Sequence, residues 1–241
     1  LDRAVVESCD GGPRLGCYDA VDRCDRTTVA RIAQLADGFL GRVPPSVTDR
    51  PPIKGVGPND YVSIGRYLQP TSTGAMVKDG DINLAAIRGR AEADTFDRYR
   101  MQDMIEAVVT LAVAHRLTGN PDYGAKAIAF VDRWFLDAAT RMTPHGLFAQ
   151  IAPGYPERFN DRGTLDFRDF WPLLDGLAWL RRAGVIDDGR QAELRSWFLA
   201  FQDHLVNRAS AAGNRVNNVG ALYDVVAASV AAYLGDAAAL A

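Results

Sequence analysis

The stretch RMQDMIEAVVTLAVAHRLTGNP, Arg100–Pro121, decides the fold class. Its apolar residues fall at Met101, Met104, Ile105, Val108, Leu111 and Ala112. That is the i, i+3, i+4, i+7 spacing of one helix face. Thr118-Gly119-Asn120-Pro121 ends the helix, because glycine takes the left-handed closing turn and proline cannot continue. The same theme recurs on both sides. Upstream lie Val29, Ile32, Ala36, Phe39 and Leu40; directly downstream lie Tyr123, Ala127, Phe130, Val131, Trp134 and Phe135. Three further stripes follow: Trp171, Leu174, Leu177 and Ala178; then Leu194, Trp197, Phe198, Phe201 and Leu205; then Leu222, Val225, Val226, Val230 and Tyr233. No comparable run alternates with period two, so strands are minor. Breaks such as Gly184–Gly189 are short, which favours antiparallel neighbours. The fold expected is all-α, built from antiparallel helical hairpins.

A chain of 241 residues suits one large domain, and 48% hydrophobic against 24% charged residues supplies an ordinary core. Lys plus Arg is 27 against 30 Asp plus Glu, a net charge of −3, which argues against a nucleic-acid binder. Charges interrupt every apolar run before the ~20 residues a membrane span needs, so no membrane insertion is expected. The chain opens at Leu1 with no signal-like segment, and the expectation is that a leader or upstream stretch has been removed. Residues Val225–Ala241 read as helix with no stop signal, so a longer fold is expected to continue beyond them. Cys9, Cys17 and Cys24 lack metal-site spacing and have no His nearby. One disulfide with one thiol over, or three reduced thiols, both remain open. Residues 1–43 read as a cysteine-containing segment plus the first helix, and 44–241 as the main helical domain, continuous with that helix.

Two stretches differ in kind. Pro44 to Ala75 and Met142 to Gly163 are rich in Pro, Gly, aromatic and polar residues. Long loops in a compact helical domain are usually functional or disordered, and the aromatic and polar residues here, suited to lining a groove, favour function.

The run Trp134-Phe135-Leu136-Asp137-Ala138-Ala139-Thr140-Arg141-Met142, continuing through Pro144 to Phe148-Ala149-Gln150, resembles the WFLDPATRMNPNLNYAQ signature of the bacterial alginate-lyase-like family of polysaccharide lyases. Asp60-Tyr61-Val62-Ser63 to Tyr67, with Val77-Lys78-Asp79-Gly80 and Asn83, is similar to that family's DYMS…YWWPD…RDG…N segment. Asn217-Asn218-Val219-Gly220 to Tyr223-Asp224 is similar to its NNHGTWYD motif. The blocks keep the family's order from about Asp60 to the end. The resemblance implies an (α/α) toroid, closed by later residues if the chain continues, with a groove for an acidic polysaccharide. It also implies cleavage by β-elimination in the periplasm or outside the cell, with neither a metal nor an organic cofactor.

That reaction dictates its residue types. The C5 proton of a uronic acid leaves only when amide or guanidinium groups neutralise the carboxylate and stabilise the enediolate. A base takes the proton and an acid protonates the departing O4; His and Tyr suit these roles. The family's Asn-Asn-His motif implies Asn218 as neutraliser, but Val219 stands where the His belongs and cannot accept a proton. Leu222 replaces the motif's Trp, and Leu68-Gln69 replaces an aromatic pair. Tyr67 as acid and His145 as displaced base are the catalytic candidates beside Asn218. Gln150, Arg162, Asn217 and Tyr223 are the substrate-binding candidates. Five of them have a structural alternative. Asn217 or Asn218 can be a helix N-cap, Arg162 a surface ion pair, His145 a solvated loop residue and Tyr223 part of the core. His115 and His204 read as packing residues. Three functions stay open: a lyase with a rearranged base, a non-catalytic carbohydrate-binding relative, or a helical domain that binds a protein or peptide.

Overall fold

The computed structural model describes residues 25–65, 68–70, 76–78, 96–151 and 161–239. Tyr67, Asp79, Asn83 and the three cysteines lie outside them. The fold is all-α, and the described residues form six helices. They are α1 (Arg26–Leu40), α2 (Arg98–Thr118), α3 (Pro121–Val131), α4 (Phe170–Arg182), α5 (Asp188–Asn207) and α6 (Asn218–Leu234). Local sequence sets their ends. The Asp25 side chain accepts Thr28 N–H to start α1, Asn120 accepts Asp122 N–H ahead of Pro121, and Asp187 accepts Arg190 N–H to start α5. Gly119 closes α2 at φ 69°, as its sequence predicts. One π-helical turn, Asp132–Leu136, extends α3.

Helix α2 packs against α1, α3 and α4. It therefore buries Val109, Thr110 and Val113 beyond its predicted stripe. Phe135, Phe170, Trp197, Phe198 and Phe201 form an aromatic cluster, with Trp197 and Phe201 stacked at 5.4 Å. The Trp197 indole N–H donates to Met142 C=O at 2.7 Å, tying the cluster to the loop that follows α3.

Three sequence readings need correction. Trp171 is 41% exposed, because the inward face of α4 runs through Phe170, Leu173, Leu174 and Leu177, one position round from the expected stripe. Val225 is likewise exposed; α6 is apolar on nearly every side, so periodicity alone did not fix its buried face. The helix expected to run through Ala241 stops at Leu234, where Gly235 adopts φ 70° and its N–H returns to Ala231 and Ala232 C=O.

The two irregular stretches carry short elements. β1 (Val62–Ile64) lies in the first and pairs in parallel with β4 (Phe148–Ile151) in the second. β2 (Leu68–Pro70) and β3 (Met76–Lys78) form a small antiparallel pair. A 3₁₀ helix, Asp161–Asp169, leads into α4.

Helix reversal sorts the connections to two ends. At one end are the short turns: a Cβ on Gly124 would lie 3.2 Å from Val185 and 3.3 Å from His115, so the start of α3 meets the α4–α5 turn beside the end of α2. At the other end are the long connections 41–97, 137–169 and 208–217. Asn59 Nδ2 donates to Arg141 C=O, Ser46 Oγ to Thr140 C=O, and Gly146 N–H to the His204 ring at the end of α5. The 3₁₀ helix 161–169 also packs on the 3₁₀ turn Ser210–Ala212.

Candidate functional site

Among the described residues, every candidate except Tyr223 falls on a long connection or at its junction with α6, so topology alone places them at one end of the molecule. The 3₁₀ helix 161–169 is the hub. It packs against both β4, which carries Gln150, and α6, which begins at Asn218. A Cβ on Gly163 would meet Ala149 Cβ and C=O at 2.7 Å, so the chain neighbours of Arg162 and Gln150 are in direct contact. Arg162 itself is exposed.

Gln150 is buried and adopts φ 54°, the only non-glycine residue with positive φ among the described residues. For a residue with a Cβ this costs on the order of 1 kcal/mol, and it persists only where neighbours over-determine it. They do. Gln150 N–H donates to Ser63 Oγ at 2.8 Å, and its Nε2 donates to Asp166 Oδ1 at 2.9 Å. Asp166 also accepts from the Tyr61 hydroxyl at 3.0 Å and from Ser63 Oγ, and pairs with Arg98 at 3.4 Å. Arg98 donates in turn to Ile64 C=O at 2.6 Å. Burial first, and then the Asp166 charge, push the Tyr61 hydroxyl well above its ordinary range, so it remains a donor.

A second buried carboxyl, Asp97, supports β1 from the start of α2. Its Oδ2 accepts Val62 N–H at 2.9 Å and Arg50 Nε at 3.2 Å. Burial pushes its pKa up to about 7 despite the two arginines nearby.

His145 sits at the edge of this region. Its Nε2 lies 3.2 Å from Asp60 Oδ1, and Leu147 N–H points at Nδ1 from 3.4 Å. That pattern puts the ring proton on Nε2 and leaves Nδ1 as the acceptor in the neutral ring. The hydrogen bond from His145, opposed by partial burial, lowers the Asp60 pKa, and Gly57 N–H holds the other oxygen at 2.9 Å. His204 packs 6.0 Å from His145, ring centre to ring centre. Its Nε2 accepts Gly146 N–H at 3.1 Å, and burial first, then the His145 and Arg208 charges, lower its pKa to about 4. His204 is therefore the neutral packing residue that the sequence reading expects.

Asn217 is the N-cap of α6, accepting Val219 N–H at 2.8 Å. Asn218 begins the helix and is exposed, whereas Val219 is buried. Gly220 is forced by space: a Cβ there would lie 2.1 Å from Arg215 C=O. Tyr223 is half-buried and donates to Leu205 C=O at 3.2 Å, the bond of a packing residue.

Beside this cluster opens a cavity of about 450 Å³. Its lining includes Asn59, Arg141, Thr143 and Pro144 from the long connections and Glu193 and Trp197 of α5. Asn59 and Pro144 are the chain neighbours of Asp60 and His145. Among the described residues no cluster of His, Cys, Asp or Glu is arranged to hold a metal ion, and no helix is long and apolar enough to cross a membrane.

Sequence reasoning missed Asp166, Arg98 and Ser63 as members of one group. Asp60, Tyr61 and Ser63 stand inside a quoted motif, which was a usable signal. Asp166 and Arg98 carried none, because their partners lie 16 to 105 residues away.

Residues 46–241 match the family model described as alginate lyase. The fold is similar to the crystal structure of an alginate lyase from Bacteroides ovatus, with a TM-score of 0.77 and 28% sequence identity. That similarity covers 86% of this chain and 55% of the other, so this chain spans about half the length of that relative. No curated protein matches the chain in sequence.

Proposed function

Since the chain belongs to the alginate lyase family, we propose that it binds a uronate-containing acidic polysaccharide and cleaves it by β-elimination. The observation that carries this reading is the Asp60–His145 pair, which stands in the family-like loop at the same end as Asn218, Gln150 and Arg162. A carboxylate bonded to Nε2 orients the imidazole and stabilises the imidazolium that forms on proton transfer, so Nδ1 is the basic nitrogen. A substrate C5–H approaching Nδ1 displaces only the long contact from Leu147. Exposed Asn218 and Arg162 are the groups that bind the uronate carboxylate and stabilise the enediolate. Tyr67 is assigned as the acid that protonates the departing O4. No cofactor enters these steps. A polymer substrate also favours action in the periplasm or outside the cell.

A second reading is favoured by Val219, which puts a buried apolar side chain where the family-like motif carries a proton acceptor. In that reading the site binds the polysaccharide without cleaving it. Calorimetric titration with oligouronates and with neutral oligosaccharides of equal length tests what the two readings share. Binding that is selective for the oligouronates supports them, and equal or absent binding of both overturns them.

A further inference from the structure

Gln150 holds a strained backbone, gives its side-chain amide to buried Asp166, and gives its main-chain N–H to Ser63, which itself donates to Asp166. We propose that Asp166 is a positioning residue that acts through Gln150: it sets the conformation and the amide orientation with which Gln150 meets the substrate. The inference rests on the uronate-binding reading above.

Three features support it. A carboxylate can only accept, so the Gln150 atom facing Asp166 must be the nitrogen, and the amide cannot flip while Asp166 is in place. Ser63 closes a small ring, donating to Asp166 while accepting the Gln150 main-chain N–H, so backbone and side chain are locked together. Tyr61, Ser63, Gln150 and Arg98 converge on this carboxylate from β1 and its approach, β4 and α2. A buried carboxylate that served stability alone would need a partner for its charge, which Arg98 supplies. It would not need to hold a neighbour at φ 54°.

Replacing Asp166 by Asn swaps one acceptor oxygen for a donor, which then faces hydroxyl, amide or guanidinium donors. The Gln150 amide must turn over or withdraw. The test is a double-mutant cycle on oligouronate binding with wild type, Asp166→Asn, Gln150→Ala and the double variant. Each single change is expected to weaken binding about tenfold, and the double variant no more than either single one. Losses that multiply to about a hundredfold overturn the proposal, because Asp166 then acts independently of Gln150. If Asp166→Asn does not fold, Ser63→Ala replaces it in the same cycle with the same criterion. If wild type binds no oligouronate, the functional reading fails by itself. The positioning claim is then decided by the NMR signals of the Gln150 side-chain amide: a shift in Asp166→Asn supports it, and unchanged signals overturn it.

Discussion

Gly220→Ala is expected to destabilise the protein, although alanine is the better helix former. The new Cβ would lie 2.1 Å from Arg215 C=O, 3.1 Å from the carbonyl carbon and 3.4 Å from Gly213 C=O. Ordinary carbon contacts need about 3.5 Å, so backbone must move by more than about 1 Å. The obstacle cannot swing aside like a side chain: Arg215 N–H is bonded to Ala212 C=O at 3.2 Å, and Ala212 is buried. Overpacking against backbone belongs at the upper end of the usual range, about 3 kcal/mol. Disturbing the Asn217 cap adds about 1 kcal/mol. Helix propensity returns about 1 kcal/mol. The net loss expected is about 3 kcal/mol. Gly38→Ala is the matched control, because a Cβ on Gly38 of α1 meets nothing within 4 Å. It should stabilise by up to about 1 kcal/mol. Urea unfolding of the three proteins with unchanged m-values measures both. A Gly220→Ala protein as stable as wild type would refute the close approach.

Two further outcomes follow from the site. The His204 pKa falls from 6.5 unfolded to about 4 folded, so the unfolded chain binds the extra proton across that window. Its contribution is complete above pH 6.5 and is lost as pH falls through 4, about 3 kcal/mol in all. His204→Gln should flatten that part of the stability profile, and parallel profiles for the two proteins would sink the assignment. Val219→His buries an imidazole in place of an apolar side chain and should cost about 1–3 kcal/mol with no gain in elimination rate. A gain of activity from an inactive parent would instead establish the binding-only reading.

Helices were legible because their stripes repeat at 3.6 residues and their ends carry explicit signals, as at Asp25, Gly119 and Asp187. Legibility failed where the signal saturates. α6 is apolar all round, so Val225 and Val226 could not be ranked, and Trp171 attracted a stripe that belongs to Phe170. The site was half legible. Motif order pointed to Gln150, Arg162, Asn218 and His145, and capping chemistry anticipated the bond that Asn217 makes. The partners that give these residues their states were not legible. Asp166 reaches Tyr61 across 105 residues and Ser63 across 103, and no local pattern encodes such a meeting. Nor does sequence disclose that Gln150 sits at positive φ, since glutamine has no preference for it.

The most direct test is the ultraviolet absorbance of the unsaturated uronate formed when the protein is incubated with polyuronate. Wild type is expected to accumulate product, and His145→Ala to do so at least about 100-fold more slowly, the usual worth of a positioned base. Absence of product with wild type, or a rate that survives both His145→Ala and Tyr67→Phe, would contradict the proposed elimination.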